Sequence, residues 1–459
     1  MTPLPTQNHP AGAIARHLVQ TLRLATPLAI AQLAHMAMGV TDTVLLGALG
    51  RDALAAGGLG ASLLITVLIV LQGVLTSVSV LVAQARGAGR ETDVPALYWT
   101  GMLLAVLLML PAFALFGAVS PLLLWVGEPP ALVHDVDAYV AVLRWSTPGA
   151  LLGLGLMRAF LPAIGGGATI LWVTLCATLA NAALCYGLIH GAWGLPAMGL
   201  RGAALATVIV LSGVAAALMA MLHLHPARRR FVAWRRPSLP ILWAMLRLGI
   251  PVSATFAVET GLFLAIALLI GLLGPAPLAA QQVAINTLSV AFMIPLGIAQ
   301  AANVRVGNRA GAADGPGARM AGLVAIALGA AFELIAAITI LIAPQAIVAL
   351  YLDPADTEAF TIAVNLLRVS TVFLIADGVQ CVASGALRGL GDTTTPFALA
   401  AFGYWGIGFP AAWWLTMHTN AGAAGAWWAL AASLAIVATL LTRRFLRRSS
   451  NIQPIKVAA

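Results

Sequence analysis

The 459 residues are 61% hydrophobic and only 8% charged, with a mean hydropathy of +0.98. Soluble domains carry about 25% charged residues, so a water-soluble globular fold is excluded and the chain reads as an integral membrane protein. The net charge of +9 would suit nucleic acid, but its distribution along the chain argues for a membrane surface instead.

In chain order, the first stretch, MTPLPTQNHPAGAIARH, is polar and has no signal-peptide core or small-residue cleavage site, so the first span is read as retained. Apolar runs of about 20 residues separated by short polar breaks then predict twelve helices. They fall at 22–46, 53–84, 95–117, 132–161, 169–189, 200–222, 243–271, 277–307, 318–342, 358–386, 396–417 and 423–443. Several exceed what a bilayer needs, which predicts tilted or protruding helices. The cations gather on alternate loops, at Arg86, Arg90, Arg228, Arg229, Arg230, Arg235, Arg236, Arg305, Arg309, Arg443, Arg444, Arg447 and Arg448. The opposite loops hold Asp52, Glu128, Asp135, Asp137, Asp353, Asp356 and Glu358. By the positive-inside rule both termini are expected in the cytoplasm. The run 225–236, HPARRRFVAWRR, reads as a solvated linker at an anionic leaflet, with nucleic-acid binding as the weaker reading. Cys176, Cys185 and Cys381 lie in apolar runs without metal-ligand spacing and read as small core residues.

The chain repeats itself at a fixed interval. Leu22-Arg-Leu-Ala-Thr-Pro27 returns as Leu246-Arg-Leu-Gly-Ile-Pro251, Leu54-Ala-Ala56 as Leu278-Ala-Ala280, and Leu143-Arg-Trp-Ser-Thr147 as Leu367-Arg-Val-Ser-Thr371, each 224 residues later. A register held through so many loops is a duplicated six-helix bundle. An even number of spans per copy makes the halves parallel, related by a pseudo-two-fold axis along the membrane normal, as in transporters. The expected organisation is an all-α integral membrane protein of two six-helix lobes, 1–222 and 243–448, with a basic cytoplasmic linker at 223–242 and a cytoplasmic tail at 449–459.

Against this apolar background the acids stand out. An acid at mid-membrane costs roughly 2.5–3.5 kcal/mol on insertion scales and normally faces a protein interior or watery cavity. Asp377 lies in the tenth span, where a structural ion pair with Arg388 is the competing reading; the loop that follows it offers Asp392 or a following Thr as N-cap of the next helix. Asp42 and Glu259 lie in the first and seventh spans; the repeat matches Asp42 to Ile266, Glu259 to His35 and Asp377 to Gly153, so the acids are additions to a shared scaffold. Glu333, in the ninth span, has three readings: facing lipid near an end, pairing within the second half, or joining a cation site. His35 reads as a core residue more readily than as a proton relay. The Met residues and Tyr404-Trp405 fit either helix packing or a cleft for organic cations.

Several stretches carry a resemblance spread over nearly the whole chain. They are Val40-Thr-Asp42-Thr-Val44, Asn181, Gly199-Leu-Arg-Gly-Ala-Ala-Leu-Ala-Thr207, Phe256-Ala-Val-Glu259, Leu278-Ala-Ala-Gln-Gln-Val-Ala-Ile-Asn286, Met293-Ile-Pro-Leu-Gly297 and Arg388-Gly-Leu-Gly-Asp392-Thr393. The chain resembles the multidrug and toxic compound extrusion family, in its NorM-like branch. The resemblance implies an antiporter that expels organic, often cationic, compounds in exchange for Na⁺ or H⁺ by alternating access. It implies a second-half cation site at Glu259 and Asp377, both open to Na⁺, with Gln282 and Asn286 as neutral ligands. It also implies a first-half coupling acid, Asp42, near Asn181 and Thr207. Two positions depart from the pattern: Phe373 stands where the branch often has a tyrosine, and Cys185 where relatives are often polar.

No enzyme is expected, since the glycine-rich loops Gly165-Gly-Gly167 and Gly389-Leu-Gly391 lack the Lys-Ser/Thr of a phosphate loop. No cofactor is expected beyond the coupling ion. The expected partners are small-molecule drugs and the lipid bilayer, with no nucleic acid, and the chain is expected as a monomer in the cell inner membrane. A lipid or lipid-linked precursor flippase of related fold is the alternative; it would be expected to line its cleft with cations.

Overall fold

The computed structural model describes residues 10–452, so most of the expected 449–459 tail lies outside the described residues. These residues are helical, with no strand among them. Eleven helices are long and apolar enough to cross a bilayer. We number them α1 (Pro10–Gly47), α2 (Arg51–Gly87), α3 (Glu91–Val126), α4 (Pro130–Ala163), α5 (Gly167–His190), α6 (Gly199–Leu224), α7 (Leu239–Gly271), α8 (Pro275–Gly311), α9 (Gly315–Ile342) and α10 (Thr357–Gly389). The twelfth expected span is also helical, running through Thr394–Ala401, Phe402–Gly408 and Phe409–His418; it is α11, and Gly422–Arg448 is α12. Glycines, a tyrosine and tryptophans replace aliphatic residues in α11, which is why its hydropathy falls below that of the other eleven.

Two helices carry a π-helical segment, Ala150–Met157 in α4 and Phe402–Gly408 in α11. Both are glycine-rich, and the wider turn frees carbonyls that need other donors. In α11, Ser433 of α12 donates to the Gly403 carbonyl at 2.6 Å. In α4 the glycines let backbones touch: a Cβ on Gly149 would lie 2.5 Å from the Leu211 carbonyl carbon, and one on Gly153 would lie 3.1 Å from the Ala215 nitrogen.

The chain packs as two compact units. Among the described residues, one unit holds 10–29 and 261–452, and the other holds Ile30–Thr260. These units differ from the sequence halves 1–222 and 243–448 because the first part of each half's opening helix packs on the other half's second helix. Within one unit, Gly297 of α8 abuts Ala29 of α1, where an added Cβ would come within 2.6 Å of its Cα. Within the other, Gly73 of α2 abuts Ser253 of α7, with the corresponding approach at 2.8 Å. Gly73 and Gly297, like Ala29 and Ser253, are 224 residues apart, so the exchange obeys the repeat. Polar bonds reinforce both crossings. Ser253 donates to the Val70 carbonyl at 2.7 Å, and Arg305 donates to the His17 carbonyl and to Gln20 Oε1, each at 2.9 Å, and to the Thr21 hydroxyl.

Most of the linker 225–236 is exposed, as expected of a solvated segment, but its middle docks on the protein. Phe231 and Val232 are buried, Trp99 Nε1 donates to the carbonyls of Val232 and Ala233 at 3.2 Å each, and Arg230 pairs with Glu91 at 3.0 Å. An interleaved aromatic in a basic run therefore serves to dock the segment on α3. In the loop before α11 the N-cap falls on a following Thr, one of the two expected choices. Thr393 occupies the N-cap position without a side-chain capping bond, and Asp392 turns away to accept from Arg444 Nε at 2.8 Å. The ion pair wins because Asp392 is buried, where an unpaired charge costs more than an uncapped helix end.

Candidate functional site

In the unit containing Ile30–Thr260, the site begins with how α5 is fixed to α1. Thr178 Oγ1 donates to the Ala34 carbonyl at 2.9 Å. One turn further along α5, Asn181 therefore faces Asp42, and its Nδ2 lies 2.6 Å from Asp42 Oδ1. Asn181 is fully buried and its own Oδ1 has no hydrogen-bond partner. Another turn on, the Cys185 thiol lies within hydrogen-bonding reach of the same carboxylate. The sulfur thus fills the place where a polar residue was expected, and as a weak donor it can still serve the acid. A carboxylate and an open amide carbonyl on adjoining helices are ligands that a hard cation accepts. Thr207 spends its hydroxyl on the Ala203 carbonyl of its own helix, at 3.2 Å. Elsewhere in this unit Arg158 donates to Gln32 Oε1, and the buried His35 Nδ1 has no hydrogen-bond partner.

In the other unit, α10 packs against α8, α9 and α12 and forms the centre. Asp377 is buried at mid-helix, and so is Phe373, one turn before it. Phe373 packs edge-on against Phe263 of α7 and Trp427 of α12, with ring centroids 6.2 and 5.4 Å apart. The missing tyrosine hydroxyl is therefore replaced by an aromatic cluster. On α8, Gln282 Nε2 donates to Asn286 Oδ1 one turn away at 3.3 Å, and Gln282 is exposed. Its neighbour Gln281 is the buried one, 1% exposed, with neither amide atom hydrogen-bonded. The sequence reading passed over Gln281, because two adjacent glutamines in one helix face different ways and only packing says which turns inward. Glu259 is half-buried and belongs, by one residue, to the unit that ends at Thr260. Tyr404 is fully buried and is a packing residue, whereas Trp405 is partly exposed and stacks near Phe409 at 5.6 Å.

The structure therefore joins Asp42 to Asn181 and Gln282 to Asn286, while Glu259 and Asp377 fall in separate compact units. Among the described residues no three His, Cys, Asp or Glu side chains cluster as a metal site would require.

A sequence profile described as MatE matches residues 27–187 and 251–414. The chain is 55% identical over 446 residues to a protein named "Probable multidrug resistance protein NorM" from Burkholderia mallei, covering 96% of this chain and 95% of that one. It is 53% identical over 443 residues to "Multidrug resistance protein NorM" of Burkholderia vietnamiensis, covering 96% of each. The fold matches the crystal structure of the eukaryotic MATE transporter AtDTX14 with a TM-score of 0.85 at 19% identity, over 96% of this chain and all of the other.

Proposed function

Since this chain belongs to the MatE family, we propose that it is a secondary active multidrug antiporter, exporting organic and often cationic compounds in exchange for Na⁺ or H⁺. It works by alternating access in the inner membrane, with both termini cytoplasmic. The names of its relatives supply the substrate class. The observation that carries the coupling reading is Asp42 held at 2.6 Å by Asn181 inside a membrane helix bundle. A carboxylate kept at such depth with an open amide oxygen beside it suits ion binding better than packing.

Asp377 serves the second half as an ion-binding acid, with Gln282 and Asn286 as its companions in a cation site. One charge moving down 100 mV supplies about 2.3 kcal/mol, and a tenfold ion gradient supplies about 1.4 kcal/mol more. Together they sustain a drug gradient of several hundredfold for one neutral molecule per ion. A bound ion shifts the facing equilibrium only by its differential affinity for the two states, so the acids must hold it better in one state.

The test is efflux from proteoliposomes under a Na⁺ gradient and a pH gradient imposed separately. Efflux driven by either one is expected; no efflux under both would sink the antiport reading.

A further inference from the structure

Glu333 sits in the middle of α9 and is used by none of the chemistry above. It is 0% exposed, so it does not face lipid. Neither carboxyl oxygen has a hydrogen-bond partner, so it is not tied into a structural pair. Two of the three readings open from the sequence are thereby removed. An ionised carboxylate with no compensation at this depth is expensive, so the group has to hold a cation. A metal ion asks for several oxygen ligands, and among the described residues Glu333 belongs to no cluster of three metal-ligating side chains. A proton needs one oxygen only.

The place of the side chain says what that proton is near. Gly378, the residue after Asp377 on α10, lies against the Glu333 stem: a Cβ there would come 2.5 Å from Glu333 Cγ and 3.4 Å from its Cβ. Any side chain at 378 would displace the acid. The charged groups on the helices packed against α9 are few. On α8, Arg305 is bonded to α1 and Arg309 to Asp314. On α10 they are Glu358, Arg368, Asp377 and Arg388, and α9 itself adds Arg319. The short helix Pro344–Val348 that follows has none, and α12, which meets α9 where Phe445 abuts Gly322, carries Arg443, Arg444, Arg447 and Arg448 near its end. Of these, Asp377 is the one adjoining the Gly378 contact.

We infer that Glu333 is a proton-carrying carboxyl of the transport cycle, a third coupling acid that works with Asp377. The inference rests on the antiport reading above. As a cation arrives at Asp377, Glu333 gives up its proton to water, so the local charge is conserved; protonation of Glu333 weakens cation binding by the same factor.

The test uses the full-length protein. Glu333→Gln keeps the shape of the neutral acid, so it should fold and bind Na⁺. Proton release on Na⁺ addition, read with a pH dye in weakly buffered detergent, should fall by about one proton per chain. Efflux driven by a pH gradient should drop about tenfold or more. Glu333→Asp, which keeps an acid, should regain part of both. Wild-type proton release and wild-type pH-driven efflux in Glu333→Gln would overturn the inference. If Glu333→Gln does not fold, infrared difference spectra of the Asp377→Asn and wild-type proteins decide. Loss of a neutral-carboxyl band on Na⁺ addition to the wild type is expected, and no such change overturns it. Normal efflux in Asp377→Asn would sink the second-half cation site on which this inference rests. A dead Asp377→Asn beside an unaffected Glu333→Gln would sink this inference alone.

Discussion

The fourth and tenth membrane helices occupy the same place in the repeat, yet they use it differently. In α4 the position is Gly153, within a π-helical segment, and the backbone comes into contact with α6. In α10 the helix is regular, the position is Asp377, and the next residue, Gly378, makes room for Glu333 from α9. One copy of the scaffold spends its glycines on close helix packing. The other spends one, Gly378, on admitting the stem of an acid from α9. Duplication therefore preserved the packing frame while leaving each half free to install its own polar chemistry, since a glycine against backbone and a glycine against a carboxyl stem serve different ends.

That contrast can be broken most decisively at Asp377. Asp377→Asn should lower ion-driven efflux by about a hundredfold, about 2.8 kcal/mol, with little change in melting temperature, because the amide keeps the shape and loses the charge. Glu259→Gln should follow it. Proteoliposome transport with Na⁺ calorimetry is the check, and normal binding together with normal efflux in both would remove the second-half site. In α4 the matching experiment concerns stability. Gly149→Val forces a side chain against the Leu211 carbonyl and should cost about 1–3 kcal/mol, seen as a lower melting temperature in detergent; an unchanged melting temperature would mean the contact is slack. Asp42→Asn should reduce efflux about tenfold, about 1.4 kcal/mol, while Na⁺ binding in the second half persists. Loss of that binding would show that the two acids form one system. The smallest effect is expected for Ser433→Ala, which leaves the Gly403 carbonyl of the α11 π segment without its donor, at about 1 kcal/mol. A larger loss would mean that the bond sets the π geometry.

Much of this was legible in the residues. Hydropathy located the spans, the 224-residue register revealed the duplication, and Asp42 stood out because an acid in an apolar run is costly, whereas Asn181 was pointed to only by the family resemblance. Glu333 was visible but unassignable, because an acid's meaning depends on whether lipid, a partner or nothing lies opposite, and that is a property of packing. Gln281 was masked by its neighbour for the same reason. The docking of the linker was hidden because Phe231 and Val232 count as two apolar residues in a basic run; nothing local says that α3 offers Trp99 to receive the turn. The π segments escaped because glycine-rich stretches read equally well as ordinary helix.

The exchanged openings of α1 and α7 bear on how the chain is made. The start of α1 leaves the ribosome well before α8, yet its seat against Gly297 does not exist until α8 has been synthesised, so an early segment is among the last to reach its final neighbours. A fragment ending at the linker would lack both that seat and the α7 segment that rests on Gly73. In a forerunner built from one unduplicated copy, the same geometry would have been satisfied by two chains trading their first helices, a swapped dimer that fusion into a single polypeptide then made permanent.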